Sequence, residues 1–249
     1  MTSPATLPTA PAELAVLYAY PAEPPGRCLV RANMVSSLDG ASALKGTSTA
    51  LGSPGDKAVF DALRGLADVV LVASGTVAAE HYGAAQPNAA LAAQREACGQ
   101  RPAPVLAVVT GRLSLDPESP VARAPGTLVL TCATAPEDRR RALVAAGADV
   151  IDCGADTVDL NEALRILAER GLWRVLCEGG PSLLGSMVVA DLLDEICLTY
   201  SPHLVGGEGG RILHSSVEND GPPMQPVHVL ADDQGFLYTR WRRSTLKTG

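Results

Sequence analysis

Short runs of apolar and β-branched residues recur along the chain, each bounded by Gly, Pro or Asp. Runs of this length and composition are typical of buried β-strands. They predict seven strands, at residues 28–36, 68–73, 105–110, 127–132, 173–177, 195–201 and 235–243. The longest apolar runs, such as residues 69–73, are strand-sized and far too short to cross a membrane.

Helical patterns lie between these predicted strands. Ser53 is expected to be an N-cap with Pro54 in the first turn, and Val59, Leu63 and Leu66 follow at helical spacing. Further helices are predicted at residues 136–146 and 160–170, in a short turn that carries Glu80, and from Pro181 onwards. Gly147 follows the helix at residues 136–146 and Gly171 follows the helix at residues 160–170, at positions where a glycine commonly ends a helix.

The alternation of strands and helices predicts one α/β domain over residues 27–249, with a mixed, mostly parallel sheet and helices on both faces. The pattern between residues 195–201 and 235–243 contains no convincing helix, so an antiparallel addition is expected at one edge of the sheet. Residues 1–26 are rich in Pro and Ala, and they predict an extended arm with one anchored segment at residues 14–20.

Composition narrows the function classes. Apolar residues make up 47% and charged residues 19% of the 249 positions, which is typical of a globular protein with a well-buried interior. The net charge of -7 argues against non-specific binding to nucleic acid or anionic membranes. The cysteine and histidine spacings predict neither a disulfide framework nor a metal site. The first residues show no signal-peptide pattern, so a cytoplasmic protein is expected.

The strongest chemical signal is the turn after the strand at residues 173–177. Glu178 follows this strand directly, Gly179 and Gly180 come next, and Pro181 opens a helix. Glycines let a ligand approach the backbone, and the free N–H groups of a first helical turn favour an anion such as pyrophosphate. A tight turn without a ligand is the alternative, but the adjacent carboxylate favours a ligand site.

Two further segments carry candidate polar chemistry at strand ends. Residues 31–40 place Asn33 and Ser36 before a tight Leu-Asp-Gly turn, which is also a common structure without any function. Residues 69–82 form a second junction of strand, glycine and short helix, with Glu80 at its end. No G-x-G-x-x-G pattern follows the first strand, which argues against a standard Rossmann fold.

The loop at residues 46–52 is rich in Ser and Thr and leads into the helix that carries Arg64. Hydroxyl groups and a guanidinium together can bind a phosphate group. Arg64 could equally be a surface residue that pairs with Asp61 or Asp68. The isolated pattern favours the surface interpretation.

In their order along the chain, these segments resemble the riboflavin-biosynthesis reductases. The resemblance rests on S-L-D-G at residues 37–40, the Ser/Thr loop, L-R at 63–64, L-V-A-S-G-T-V-A-A-E at 71–80, E-G-G-P-S-L-L-G at 178–185 and D-E-I-C-L-T-Y-S-P-H-L-V-G-G at 194–207. This family includes the C-terminal reductase domain of a bifunctional deaminase-reductase and a stand-alone actinobacterial branch of pyrimidine reductases. Its fold is similar to that of dihydrofolate reductase.

The resemblance implies NADPH-dependent reduction of 5-amino-6-(5-phosphoribosylamino)uracil to the ribitylamino product in riboflavin biosynthesis. Deaminase activity is not expected, because the zinc-deaminase signature H-x-E … P-C-x-x-C is missing from the sequence. Two alternatives stay open: reduction of another pteridine or folate-type substrate, and a non-catalytic NADP-binding protein.

The resemblance also implies roles for individual residues. Those expected to bind the substrate are Asn33, Ser48, Arg64, Tyr82 and Glu178. Those expected to bind NADPH are Ser36, Thr76, Glu80, Gly179, Gly180, Pro181, Ser182, Leu183, Leu184, Gly185 and Ser186. Glu178 or Glu80 is expected to be the catalytic proton donor, and the sequence does not choose between them.

A homodimer is expected, because the related reductases are dimeric and because the apolar late strands are predicted to lie near the sheet edge. Unpaired backbone groups and exposed apolar side chains at such an edge need cover. The alternative is that the Pro/Ala-rich arm covers this edge and leaves a monomer.

Overall fold

A ten-stranded sheet runs through the protein in a computed structural model that describes residues 4–218 and 221–244. The strands lie in the order β1-β9-β10-β8-β2-β7-β3-β4-β5-β6. They are β1 (Ala5–Thr6), β2 (Leu29–Ser37), β3 (Val69–Ala73), β4 (Val105–Val109), β5 (Leu128–Thr131), β6 (Asp149–Asp152), β7 (Arg174–Cys177), β8 (Glu195–Ser201), β9 (Met224–Ala231) and β10 (Leu237–Arg243).

The central strands are parallel and buried on both faces, as their continuous apolar sequences predict. Within β3, Val70 and Val72 pack into one core cluster, while Val69 and Leu71 pack into the other on the opposite face. The mixed, mostly parallel α/β fold is therefore confirmed.

In the part of the chain that the structure describes, seven α-helices connect the strands. They are α1 (Pro11–Leu17), α2 (Pro54–Leu66), α3 (Ser74–Ala79), α4 (Ala92–Ala97), α5 (Glu137–Ala145), α6 (Leu160–Glu169) and α7 (Pro181–Val189). The predicted start of α2 is confirmed, since the Ser53 hydroxyl accepts a hydrogen bond of 3.1 Å from the Asp56 N–H. None of the helices in the described ranges is long and apolar enough to cross a membrane.

The C-terminal part of the sheet differs from the expectation in one respect. β10 pairs antiparallel with β8, as predicted, but β9 lies beyond β10 and forms the outer part of the sheet. Both β8 and β10 are therefore hydrogen-bonded on two sides, and the expectation that they carry unpaired backbone groups is wrong. β9 escapes prediction because it contains Pro226, a residue that interrupts strand patterns.

The N-terminal residues pack onto the sheet rather than extending away from it. β1 pairs with Leu230 and Ala231 of β9, and α1 contacts α2. Leu14 and Tyr18 are buried in the same core cluster as the strands. The helix differs from the extended arm that the Pro/Ala content predicts, because Pro11 suits a first helical turn and the alanines favour helix. A domain boundary at residue 26 stays a prediction.

A buried cluster of charges joins this N-terminal segment to the sheet. Glu195 accepts hydrogen bonds from Arg31 at 2.8 Å and from Arg240 at 3.0 Å. The same two guanidinium groups donate to the carbonyl oxygens of Tyr18 at 2.6 Å and Leu17 at 2.7 Å. Burial opposes ionisation of Glu195, but the Arg31 charge and the Arg240 hydrogen bonds lower its pKa to about 2.

We expect Glu195→Gln to lower the free energy of unfolding by about 3 kcal/mol, because it leaves two buried guanidinium groups without a counter-charge. Because the pKa of the folded state lies below the ordinary 4.5, this stabilisation is complete above that pH and is lost as the pH falls towards about 2. Urea unfolding across this range measures both effects. Glu169→Gln, in an exposed ion pair with Arg165, is the control and should change stability by less than about 1 kcal/mol. Equal effects of the two substitutions would contradict the assignment.

Candidate active site

A cavity of about 720 Å³ opens at the carboxyl ends of β2, β3 and β7. Its volume lies within the roughly 300–1,000 Å³ that is usual for small-molecule sites. It brings together eight residues of the predicted site: Asn33, Ser48, Thr76, Glu80, Tyr82, Glu178, Gly180 and Pro181. The parallel strands explain this convergence, because their carboxyl ends meet at one edge of the sheet.

Glu178 is the centre of a hydrogen-bonded cluster in the cavity wall. Arg64 donates to both of its oxygens, from Nε at 2.7 Å and from Nη2 at 2.7 Å. The Tyr82 hydroxyl donates to Oε2 at 2.6 Å. The carboxylate is 2% exposed, so the ion pair is almost dry on that side. Glu178 and Tyr82 line the cavity, and Arg64 lies behind them as their binding partner.

Two aromatic rings hold the Arg64 guanidinium in place. Its Cζ lies 4.2 Å from the centroid of the Phe60 ring and 5.1 Å from that of Tyr82. Burial, followed by the negative charge of Glu178, raises the pKa of Tyr82 well above its usual value. Tyr82 therefore keeps its proton and remains a hydrogen-bond donor to Glu178.

The surface pairing considered for Arg64 is wrong. Asp61 pairs with Lys57, one turn away on α2, and Asp68 pairs with Arg174. Arg64 instead points from the third turn of α2 towards the end of β7.

The turn between β7 and α7 has the features expected of an anion-binding turn. Gly179 has a φ of +85°, which favours glycine, and the Gly179–Gly180 peptide is cis. A Cβ at Gly180 would lie 2.6 Å from Thr76 Oγ1, so the backbone approaches α3 closely. Pro181 then starts the helix, whose first-turn N–H groups have no partners within the helix. These residues fit the pyrophosphate of a dinucleotide.

The remaining residues of the predicted cofactor turn have other surroundings. Leu183 and Leu184 are buried in the core, and Ser182 and Ser186 are exposed. A Cβ at Gly185 would lie 1.9 Å from the carbonyl oxygen of His214, so this glycine packs against a remote loop. The residues of this turn that line the cavity are thus Gly180 and Pro181 at its start.

Glu80 holds the Ser/Thr-rich loop against the end of α3. Its Oε1 accepts the backbone N–H of Ser48 at 2.8 Å, and its Oε2 accepts the hydroxyl of Thr49 at 3.2 Å. Both oxygens of this carboxylate are therefore occupied by the protein itself.

The two predicted residues of β2 differ in their positions. Asn33 lines the cavity, whereas Ser36 is buried and donates to a neighbouring carbonyl group. The Leu-Asp-Gly turn that follows has a structural role, because Asp39 accepts the N–H groups of Val205 at 3.1 Å and Gly206 at 2.7 Å. It thereby joins the turn after β2 to the loop after β8.

The first two turns of α2 add cavity residues that the sequence patterns did not single out. Asp56, Lys57 and Phe60 line the cavity beside Gly52. The sequence feature that indicates them is their position directly after the Ser/Thr loop, on the side of α2 next to its buried residues. The sequence alone gives Asp56 only the role of a favourable acid in the first helical turn.

Comparison with known proteins matches residues 29–238 to the RibD C-terminal domain. The chain is 31% identical over 183 residues to a 2,5-diamino-6-ribosylamino-4(3H)-pyrimidinone 5′-phosphate reductase of Archaeoglobus fulgidus, covering 73% of this chain and 83% of the relative.

Two solved structures share the fold. A pyrimidine reductase-like protein of Corynebacterium diphtheriae is 24% identical with a TM-score of 0.83, over 94% of this chain and 99% of the other. A diaminohydroxyphosphoribosylaminopyrimidine deaminase/5-amino-6-(5-phosphoribosylamino)uracil reductase of Thermotoga maritima is 24% identical with a TM-score of 0.62, over 88% and 57% of the two chains.

We expect Gly185→Ala to destabilise the fold by about 3 kcal/mol, because the added methyl group collides with the backbone at His214. Gly75→Ala is the matched control, since a Cβ there meets nothing within 4 Å and alanine favours helix. Thermal unfolding of the two variants measures the difference. If Gly185→Ala were as stable as the wild type, the packing role of this glycine would be wrong.

Proposed function

The chain belongs to the RibD C-terminal domain family, and on this basis we propose that it reduces a ribosylaminopyrimidine 5′-phosphate with NADPH as the hydride source. One observation carries the proposal: the Arg64–Glu178–Tyr82 cluster and the Gly180 turn line or border one cavity. A charged cluster suited to a sugar phosphate therefore lies next to a turn suited to a dinucleotide.

The proposal covers two forms of the substrate, which differ at C2 of the pyrimidine. The sequence resemblance implies the uracil form, with an oxo group at C2. The name of the Archaeoglobus fulgidus relative specifies the form with an amino group at C2. The reaction centre is C1′ of the ribose in both forms, so the chemistry below applies to either.

Hydride from NADPH would reduce the C1′ imine of the ring-opened sugar, and a proton reaching the imine nitrogen would complete the ribitylamino product. The β7–α7 turn would bind the pyrophosphate, with Thr76 beside it. Asn33 and Met34 of β2 line the cavity between this turn and α2, where they can position the reacting groups.

The two candidate carboxylates are assigned different roles. Glu178 stabilises the positive charge of the protonated imine and orients Arg64 and Tyr82. Glu80 keeps Ser48 and Thr49 in the cavity wall, since both of its oxygens already bind that loop. Both carboxylates are hydrogen-bonded within the protein, and Glu178 is the preferred catalytic residue because it directly precedes the turn assigned to the cofactor.

Arg64 and Ser48 are assigned to the substrate phosphate. The guanidinium has five N–H donors, and two of them bind Glu178. Among the described residues the other N–H groups of Arg64 have no carboxylate partner, and its side chain is 25% exposed, so they can contribute to a phosphate contact while the paired carboxylate fixes the direction of the group.

The test follows NADPH oxidation by the purified chain with each substrate form. Glu178→Gln should lower kcat by roughly tenfold to thousandfold, because it removes the charge that stabilises the imine cation. Glu80→Gln should mainly raise KM, because it loosens the loop that holds Ser48.

Full kcat in Glu178→Gln would contradict the catalytic role of Glu178 and leave it with a structural role in the turn. No oxidation of NADPH with either substrate would contradict the reductase. In that case oxidation with a folate-type substrate, or NADPH binding without turnover, would favour one of the two alternatives.

A homodimer is proposed on a different surface from the sheet edge. The register places Leu198 and Tyr200 of β8 beside Leu237 of β10 and Val229 of β9 on one face of the sheet. Leu198, Tyr200 and Leu237 are half-buried, and Val229 is 38% exposed. Such a face is typical of an interface between subunits. The arm pairs with Leu230 and Ala231 of the edge strand through β1, and its Tyr18 ring packs against His228 of the same strand.

Light scattering at micromolar concentration should give about twice the 25.7 kDa of one chain. Val229→Lys should shift the mass towards a monomer, because it places a charge in the proposed interface. Val144→Lys, at an exposed valine of α5, is the matched control and should leave the mass unchanged. A wild-type mass of one chain would reject the dimer.

A further inference from the structure

Three carboxylates line the cavity, and the protein itself occupies two of them. Glu178 binds Arg64 and Tyr82, and Glu80 binds the loop at residues 48–49. The third is Asp56, in the first turn of α2. Its backbone N–H binds the Ser53 hydroxyl, which fixes the residue at the start of the helix.

The Asp56 carboxylate is partly buried without a cation beside it. Across residues 4–218 and 221–244, no Lys, Arg or His lies within ion-pair distance of it, and neighbouring Lys57 pairs with Asp61. Burial raises the pKa of Asp56, and a hydrogen bond with Thr199 on β8 offsets this only in part. A desolvated carboxylate with so few partners is costly unless a ligand supplies donors.

Asp56 borders the open space of the cavity. On one side its Oδ2 packs against Gly52, where a Cβ would lie only 3.0 Å from the oxygen. A ligand therefore reaches the carboxylate from the cavity and not from the side of Gly52.

The two forms of the proposed substrate present different edges to a carboxylate. The 2-amino-4(3H)-pyrimidinone carries N3–H and the 2-amino group side by side, and two parallel donors match the two oxygens of a carboxylate. On this edge the uracil form carries a single donor, N3–H, between two carbonyl oxygens, while its other ring donor, N1–H, lies on the opposite side beside the ribosylamino group. A carboxylate that accepts this N–H sets its second oxygen against a carbonyl oxygen, which is repulsive.

We propose that Asp56 is the specificity-determining residue that recognises N3–H and the 2-amino group, so that this chain selects the 2-amino form of the substrate. The inference rests on the proposed function for the class of substrate. It replaces the uracil form implied by the sequence resemblance. Removal of the 2-amino group by hydrolytic deamination would then have to follow reduction, in a separate reaction.

The experiment compares wild type, Asp56→Asn and Asp61→Asn with the 2-amino and the 2-oxo ribosylaminopyrimidine 5′-phosphates. Binding of each compound is measured by calorimetry without NADPH, and turnover is measured separately. Wild type should bind the 2-amino compound roughly tenfold to hundredfold more tightly, as expected for hydrogen bonds to a charged group. Thermal unfolding checks that each variant is folded.

Asp56→Asn should reverse this preference, because a carboxamide offers one acceptor for N3–H and one donor for the 2-oxo group. Asp61→Asn makes the same chemical change on the same helix at an exposed residue, and it should keep the wild-type preference.

The outcomes separate the inference from the proposed function. A preference that disappears or reverses in Asp56→Asn, without turnover of either compound, would support the recognition role and reject the reductase. Turnover of both compounds with equal affinity, unchanged in Asp56→Asn, would overturn the recognition role and keep the reductase. Binding of neither compound would overturn both.

Discussion

The ion pair between Arg64 and Glu178 determines the form of the cavity. The two residues lie 114 positions apart, and their hydrogen bonds join α2 to the end of β7. Removing either partner would leave a charge in a largely dry wall, which costs much more than an exposed pair contributes. Tyr82 binds the same carboxylate, so the turn after α3 is held in the same arrangement. Three segments that are distant in sequence thereby form one surface.

Acidic residues at the ends of strands and helices perform different tasks in this fold. Asp39 and Glu80 bind backbone N–H groups and hold loops, whereas Glu195 compensates buried arginines. Each of these carboxylates is satisfied within the chain. Asp56 differs from these residues, because its carboxylate in the cavity wall has few polar partners besides Thr199.

The sequence predicted the central fold because strands buried on both faces are continuous apolar runs. It missed β6, which has two aspartates at its ends, and β9, which contains Pro226. The β7–α7 turn was predicted together with its two cavity residues, Gly180 and Pro181, but the residues that follow them were also assigned to the cofactor and do not line the cavity. Gly185, for example, packs against the carbonyl oxygen of His214, which belongs to a remote loop without a sequence pattern of its own. The pairing of Arg64 with Glu178 was missed because the two residues lie 114 positions apart and the sequence does not show which charges meet.

Helix α2 connects the proposed recognition of the base with the proposed contact to the sugar phosphate. Asp56 lies in its first turn and Arg64 about two turns later, roughly 12 Å further along the helix at 1.5 Å per residue. A rigid helix keeps this spacing constant, and only a substrate that extends from a pyrimidine edge to a sugar phosphate uses both ends of it. Since the ion pair to Glu178 is made at the distant end, the chemistry at Asp56 can vary without displacing the Arg64–Glu178 pair. Selection of the base is thus separable from reduction at C1′.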